Sequence, residues 1–198
     1  MRPKKCNNCG KIIENRNSTL VVWCSPLCAI AIANKRKAAK RKKETQQMKV
    51  DIRSHADWIA ILQEEINLLV RTIDRGWPCI SSGVIECQFH AGHFFARSTH
   101  PALRFHLHNI WAQSAYDNGQ REGNRNGYID GLTNLYGEGY GFIEHLPRIY
   151  PSRKWAKDEL IDALKVVKRC IKKVPNRRLS KEERWEYRDL FNDEIKLY

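Results

Sequence analysis

The chain has 198 residues, and 35 Lys and Arg against 22 Asp and Glu leave a net charge of +13. Mean hydropathy is −0.60, and no run comes near the ~20 apolar residues that a membrane helix needs, which excludes a membrane-spanning reading. The opening MRPKKC leads into cysteines and asparagines rather than an apolar signal region, so a cytoplasmic protein is expected.

The charge is segregated. Residues 1–50 hold 13 Lys and Arg against 2 acids, a net +11, while residues 51–198 hold 22 against 20. A basic arm on a nearly neutral body is the footprint expected of phosphate binding, because each neutralised phosphate releases counterions. A solubilising face is the plainer alternative, and the steepness of the segregation favours nucleic acid.

Cysteine usage points to metal. Seven cysteines, an odd count without an export signal, argue against a disulfide framework. Cys6 and Cys9 form one close pair, and Cys24 and Cys28 form another 14 residues on. Two such pairs complete a tetrahedral Zn²⁺ site, and four thiolates leave no open position, so the zinc is expected to be structural. Thr19–Trp23 is the clearer strand between the pairs. Ser25-Pro26 then reads as an N-cap with Pro at the first helical position. The helix it starts carries Lys35, Arg36, Lys37, Lys40, Arg41, Lys42 and Lys43, seven basic residues in nine. They surround the helix rather than lining one face. An exposed DNA-binding helix and a flexible tether both fit that pattern.

From residue 51 the period changes. Trp58, Ile59, Leu62, Ile66, Leu69, Val70 and Ile73 recur at steps of three and four, as a core-facing helix requires. Ser54 is its N-cap, Asp57 its capping partner, and Gly76 and Pro78 end it. This scaffold is given no chemistry.

Residues 79–128 hold five of the seven histidines, with Asn109, Asn118 and Asn124. Val84–Phe89 and Phe94–Ala96 read as short strands flanking a His90-Ala91-Gly92-His93 turn, with a helix starting near Asn109 or a little later. Two strands and a helix around one metal is the ββα-metal, or HNH, arrangement. Phosphodiester hydrolysis needs a base for water and a cation for the charge on the transition state. A neutral histidine suits the first, because its pKa lies near ~6.5. A second His and an Asn carbonyl, with waters, suit a hard divalent cation.

These residues carry a family resemblance. PCIS at 78–81, HAGHF at 90–94, HPALRF at 100–105, Asn109, Gln113, Asn118, Gly123-Asn124 and Tyr128 resemble the NinG (Rap) family of lambdoid phage recombination nucleases, and more distantly endonuclease VII and other HNH enzymes. MRPKKC, Cys9-Gly10, STL at 18–20, CSPLCAI at 24–30 and Asp57-Trp58 match the same family. The resemblance implies cleavage of branched DNA, such as Holliday junctions and D-loops, with Mg²⁺ or Mn²⁺. It implies His93 as general base, His90 and Asn118 as ligands of the catalytic cation, and Asn109 as the residue that orients the base or the strand loop. Arg104 is a candidate phosphate clamp. Asn124 and Tyr128 match without an assignable role.

One departure matters. The resemblance implies a second zinc site, but its four thiolate positions read here Cys79, Ser82, Ser114 and Asp117. No zinc is expected there, with Ile110 and Trp111 filling the space by apolar contacts.

Gly119, Gly123, Gly127 and Gly131 fall every fourth residue, as a helix face that admits a close backbone or as a loop. Gly137, Gly139 and Gly141 mark a loop more plainly, and Pro147 and Pro151 close the module. Leu160, Leu164, Val167, Ile171 and Val174 form a helical stripe, and Ser180 with Glu183 caps a last helix bearing Trp185, Leu190, Phe191 and Ile195.

The expected protein is mostly α with small β elements: a zinc knuckle and basic helix at 1–50, a scaffold helix at 51–78, an HNH-like core at 79–150 and a helical tail at 151–198. It would be a metal-dependent nuclease for branched DNA. A homodimer would suit the two strands of a junction, and other phage or host recombination proteins are further partners. The alternative is a zinc-containing DNA-binding accessory protein with a decayed HNH core.

Overall fold

In the computed structural model, which describes residues 4–14, 18 and 20–197, the chain divides after Arg53. The first unit, Met1–Arg53, is a small head with a four-cysteine cluster followed by one helix. An isolated antiparallel bridge joins Lys5 to Ile12, and the Asn7 amide donates to the Val22 carbonyl at 2.9 Å. The strand expected over Thr19–Trp23 does not form at residues 20–23. Thr19 itself lies outside the described residues. Among the described residues, the backbone–backbone hydrogen bonds of this stretch are those from Asn7 to Val22 and from Val21 to Ser18, too few for a ladder.

Helix α1 spans Pro26–Ile52, with Pro26 in its first turn and the Ser25 side chain accepting from the Cys28 amide. Such a cap contributes about 1 kcal/mol. The lysines, arginines, alanines and glutamines that follow are good helix formers. Of the two openings the sequence left, helix and tether, the helix is realised. Only Ile32 in it is buried, so it is exposed on nearly all sides, Leu27 and Ile30 of its first turns included.

The second unit, Ser54–Tyr198, is built on α2, His55–Ile73. The capping box forms as expected: Ser54 accepts from the Asp57 amide while Asp57 accepts from the Ser54 amide. Trp58, Leu62, Ile66, Leu69, Val70 and Ile73 are buried. Helix α6, Lys157–Lys173, packs along α2. It buries Leu160, Ala163, Val167 and Cys170, so the stripe is shifted slightly from the expected set. Helix α7, Lys181–Ile195, starts on the expected Ser180–Glu183 box and leans on α6.

The sheet has two antiparallel strands, β1 Phe89–His93 and β2 Ile110–Ser114, in the register Phe89↔Ser114 through His93↔Ile110. This corrects the expected strands. His90-Ala91-Gly92-His93 is the strand itself, not a turn, and its partner lies beyond two short 3₁₀ turns at Pro101–Leu103 and Leu107–Asn109. Gly92 is why HAGH can sit in the ladder: a Cβ there would lie 2.1 Å from Gln113 Oε1 across the sheet. The helix expected near Asn109 or a little later is α3, Ala115–Gly119, capped by Ser114.

Gly119 ends α3 and Gly123 turns the chain with a positive φ of 88°. Gly127 and Gly131 lie in α4, Arg125–Tyr136. There they admit a close backbone, since a Cβ on Gly131 would sit 1.8 Å from the Ile80 carbonyl oxygen. The loop expected at Gly137–Gly141 is a second correction. Only Gly137 breaks the chain, and α5 runs from Glu138 to Ile149 with Pro147 inside it. Burial of Ile143 and Leu146 outweighs two helical glycines. Both join Ile80, Phe94, Leu103, Trp111, Tyr128 and Leu132 in the core.

Candidate functional site

Strand β1 and the segment after it carry the site. His90 and His93 line one cleft with Asn118 of α3 and Arg71 of α2. His93, Arg97, Arg104, Asn118 and Glu122 line the adjoining hollow. The three residues His90, His93 and Asn118, 28 positions apart in sequence, therefore meet in space. The Asn118 amide nitrogen lies 3.5 Å from His90 Nδ1. A half-turn of the amide would present its oxygen instead.

The state of His93 follows from its partner. Its Nε2 lies 3.0 Å from the Arg104 carbonyl oxygen. A carbonyl only accepts, so Nε2 carries the proton and Nδ1 keeps the lone pair. Burial lowers the His93 pKa to about 4, and the positive charges of Arg97 and Arg104 push the same way. The ring is neutral at pH 7.

The supporting residues explain why these side chains stay in place. Asn109 is fully buried. Its Oδ1 accepts from the Phe95 amide at 2.7 Å, and its Nδ2 donates to the carbonyls of Phe95 and Leu103. It staples the connection between the strands and does not line the cleft. Tyr128, whose role the sequence left open, donates from its buried hydroxyl to the Gly92 carbonyl at 2.8 Å, between the two histidines. Arg104 Nε donates to Gln63 Oε1 at 3.2 Å. The scaffold helix α2 therefore contributes Gln63 and Arg71 to a site from which the sequence had omitted it.

Beneath β2 lies a charge cluster that the sequence reading missed. The Asp74 carboxylate accepts from Arg184 Nε and from Arg188 Nη2, all at 2.9 Å, and from the Ala112 amide at 2.8 Å. All three side chains are at most 2% exposed. Arg188 also stacks 3.6 Å from the Trp111 ring centroid. Arg184 and Arg188 stand four apart beside Trp185 and Phe191, a spacing that placed both on the inward face of α7.

The four positions without a full thiolate set also converge. Asp117 Oδ2 accepts from Ser82 and Ser114 hydroxyls, each at 2.6 Å, and from Cys79 Sγ at 3.3 Å. Its Oδ1 accepts from Asn124 at 2.8 Å. Burial alone would raise the Asp117 pKa, but these hydrogen bonds hold it down to about 2. The space is filled by this polar knot and not by Ile110 and Trp111. Strand alternation turns Trp111 to the face opposite Ser114, and Ile110 lies four residues along the strand.

The remaining histidines are bonded or packed away from the cleft lining. His55 meets the Trp155 carbonyl, His145 the Gly141 carbonyl and His108 the Asp189 carboxylate. His106 packs on Tyr150, and His100 lies against Thr99.

In the N-terminal unit, Cys6, Cys9, Cys24 and Cys28 place their Sγ atoms within 4.8 Å of one another. Cys9 and Cys24 sulfurs are 3.4 Å apart, Cys24 and Cys28 3.7 Å. Tetrahedral zinc with bonds of ~2.3 Å needs edges of ~3.8 Å. The cluster can hold a zinc ion. Lys35, Arg36, Lys37, Lys40, Arg41, Lys42 and Lys43 on α1 are all exposed.

The profile of the Bacteriophage Lambda NinG protein family matches residues 1–177. The chain belongs to the NinG family. Protein ninG of Salmonella phage P22 is 30% identical over 156 residues, covering 69% of this chain and 76% of that protein. Protein ninG of Escherichia phage lambda is 29% identical over the same shares. That of Enterobacteria phage H19B is 29% identical over 79% of this chain and 83% of its own. No solved structure matches. Among the described residues, no helix of this NinG protein is long and apolar enough to cross a membrane.

Proposed function

We propose that this NinG protein is a divalent-metal-dependent endonuclease of HNH type that cuts branched DNA, Holliday junctions and D-loops among it, in phage recombination. The observation that carries the reading is His93: a neutral imidazole whose Nε2–H is held by a backbone carbonyl, in a cleft it shares with His90, Asn118 and several arginines. That is what a general base for water requires.

His90 and Asn118 would hold the cation, with waters completing its coordination as hard cations prefer. Such a cation would supply charge neutralisation at the phosphate and at the departing oxygen. His93 Nδ1 takes a proton from water as the water oxygen bonds to phosphorus and the bond to one sugar oxygen breaks. The departing oxygen is protonated from solvent. Arg104 binds a phosphate of the strand next to the one that is cut, and Asn109 keeps the 95–103 loop, and with it the Arg104 carbonyl, at its distance from His93. The exposed basic residues of α1 supply sequence-independent attraction to the DNA backbone, on a head cross-linked by zinc.

The test is incubation of the full chain with a synthetic four-way junction and Mg²⁺ or Mn²⁺, beside His93→Ala and a linear duplex. Metal-dependent nicking of the junction that vanishes in the variant is expected. Tight junction binding without cutting in either metal would refute the enzyme and leave a DNA-binding accessory protein.

A further inference from the structure

The cleft has three guanidinium groups around it, and among the described residues none of them has an acid to answer it. The side chains of Arg71 and Arg97 form no hydrogen bond and no ion pair among the described residues. Arg104 gives one N–H to an uncharged amide, that of Gln63. Five arginines outside this group do meet an acid: Arg121 with Asp117, Arg153 with Glu159, Arg177 with Glu183, and Arg184 and Arg188 with Asp74. Among the described residues, the only carboxylate lining either part of the cleft is Glu122. The crowding is felt locally. Burial lowers the Arg104 pKa, and the charge of Arg97 lowers it further.

The cleft also has a shape. One hollow of about 530 Å³ reaches to Arg104 and Ser98, and another of about 300 Å³ reaches to Arg71 and Asn67. They share His93, Arg97 and Asn118. An occupant that uses both hollows passes directly over the residues proposed for chemistry. A lone phosphate would leave one hollow and one arginine unused.

We propose that one strand of the nucleic acid runs through both hollows, with Arg97 on the phosphate beside His93, Arg104 on the phosphate to one side and Arg71 on the phosphate to the other. Arg71 and Arg97 are then substrate-binding residues, and α2 forms one wall of the strand's path. Guanidinium groups suit this work because their planar N–H pairs match phosphate oxygens two at a time. This rests on the nuclease reading for what happens at the central phosphate, but not for binding.

The experiment uses the full chain and a labelled four-way junction without added divalent cation, titrated at several salt concentrations, for wild type, Arg71→Gln and Arg97→Gln. Junctions bearing one uncharged methylphosphonate at successive linkages are compared in the same titration, and cutting is timed separately in Mn²⁺. Each Gln variant should reduce the slope of log affinity against log salt by about one and slow cutting by roughly ten- to a hundredfold. The methylphosphonate that weakens wild type should cost Arg71→Gln nothing at one linkage and Arg97→Gln nothing at a different one. Arg→Lys at either position should restore most of the slope. Cutting by wild type with unchanged slopes and an unchanged methylphosphonate pattern in both variants overturns the strand path and leaves the nuclease intact. Reduced slopes with no cutting by wild type overturn the nuclease and leave the path.

Discussion

Replacing Asp74 with Ala should unfold the second unit more readily than any change at the surface. Among the described residues, Asp74 is the only acid that meets Arg184 and Arg188, and the three side chains are 0–2% exposed. The substitution leaves two guanidinium groups buried without a counter-charge, and it leaves the Ala112 amide without its acceptor. Removing one partner from a buried ionic group costs about 3–5 kcal/mol. That is a large share of the ~5–15 kcal/mol typical of a folded domain. At roughly 3 °C per kcal/mol for a unit of this size, the midpoint should fall by about 10–15 °C. Urea and thermal melts followed by tryptophan fluorescence measure it, because Trp111 lies against Arg188. The effect should reach the cleft too, since Asp74 pins β2 and β2 pairs with the strand that carries His90 and His93. Acid should mimic the substitution. Burial alone would raise the Asp74 pKa, but attraction to Arg184 and Arg188 outweighs it and holds the group below its ordinary 3.8. A depressed carboxylate contributes its full stability above the unfolded value and loses it as pH falls toward the folded one. The loss should therefore begin near pH 4 and deepen below it. A drop of less than ~1 kcal/mol in Asp74→Ala would refute the triad as the tie beneath the sheet.

With the His93 pKa at about 4, the base form is complete at neutral pH, so cutting should stay level from pH 8 to about 5.5 and fall only toward pH 4; a half-maximum between 6 and 7 would contradict the buried, arginine-flanked ring. Atomic absorption should find one zinc per chain, and Cys24→Ser should lose it and the order of the N-terminal head; full retention of zinc in the variant would dismiss the four-thiolate site. Asp117→Ala should destabilise the second unit by about 2–3 kcal/mol through orphaned Ser82, Ser114 and Asn124 donors, and a neutral result in urea melts would count against the knot. Gly131→Ala should destabilise by at least ~1–3 kcal/mol, because its Cβ meets the Ile80 carbonyl oxygen, and an unchanged melting curve would show that α4 does not lie so close.

Local pattern carried a good part of this protein. The thiolate spacing needs only two tight turns to form a cluster, and Cys6, Cys9, Cys24 and Cys28 do converge. Caps such as Ser25, Ser54 with Asp57, and Ser180 with Glu183 act within one turn, so they stand where the sequence put them. The apolar periods of α2 and α6 hold because a 3.6-residue repeat buries one face whatever lies opposite. The ordered match of residues to the NinG family likewise needed no coordinates.

What only tertiary structure decided is what depends on partners far along the chain. HAGH became a strand because a second strand 17 residues later offered it a ladder and Gln113 filled the room left by Gly92. Gly139 and Gly141 became helical because Ile143 and Leu146 had a core to enter. Arg71 and Arg97 joined the candidate site, and Asn109 left its surface for a buried staple, because neighbours fixed which way each faced. Arg184 and Arg188 look like surface charges in the sequence. They lie buried because Asp74, more than a hundred residues earlier, meets them there. Hydrogen bonds, ion pairs and close backbone contacts at such separations are satisfied by geometry that no local window of sequence contains.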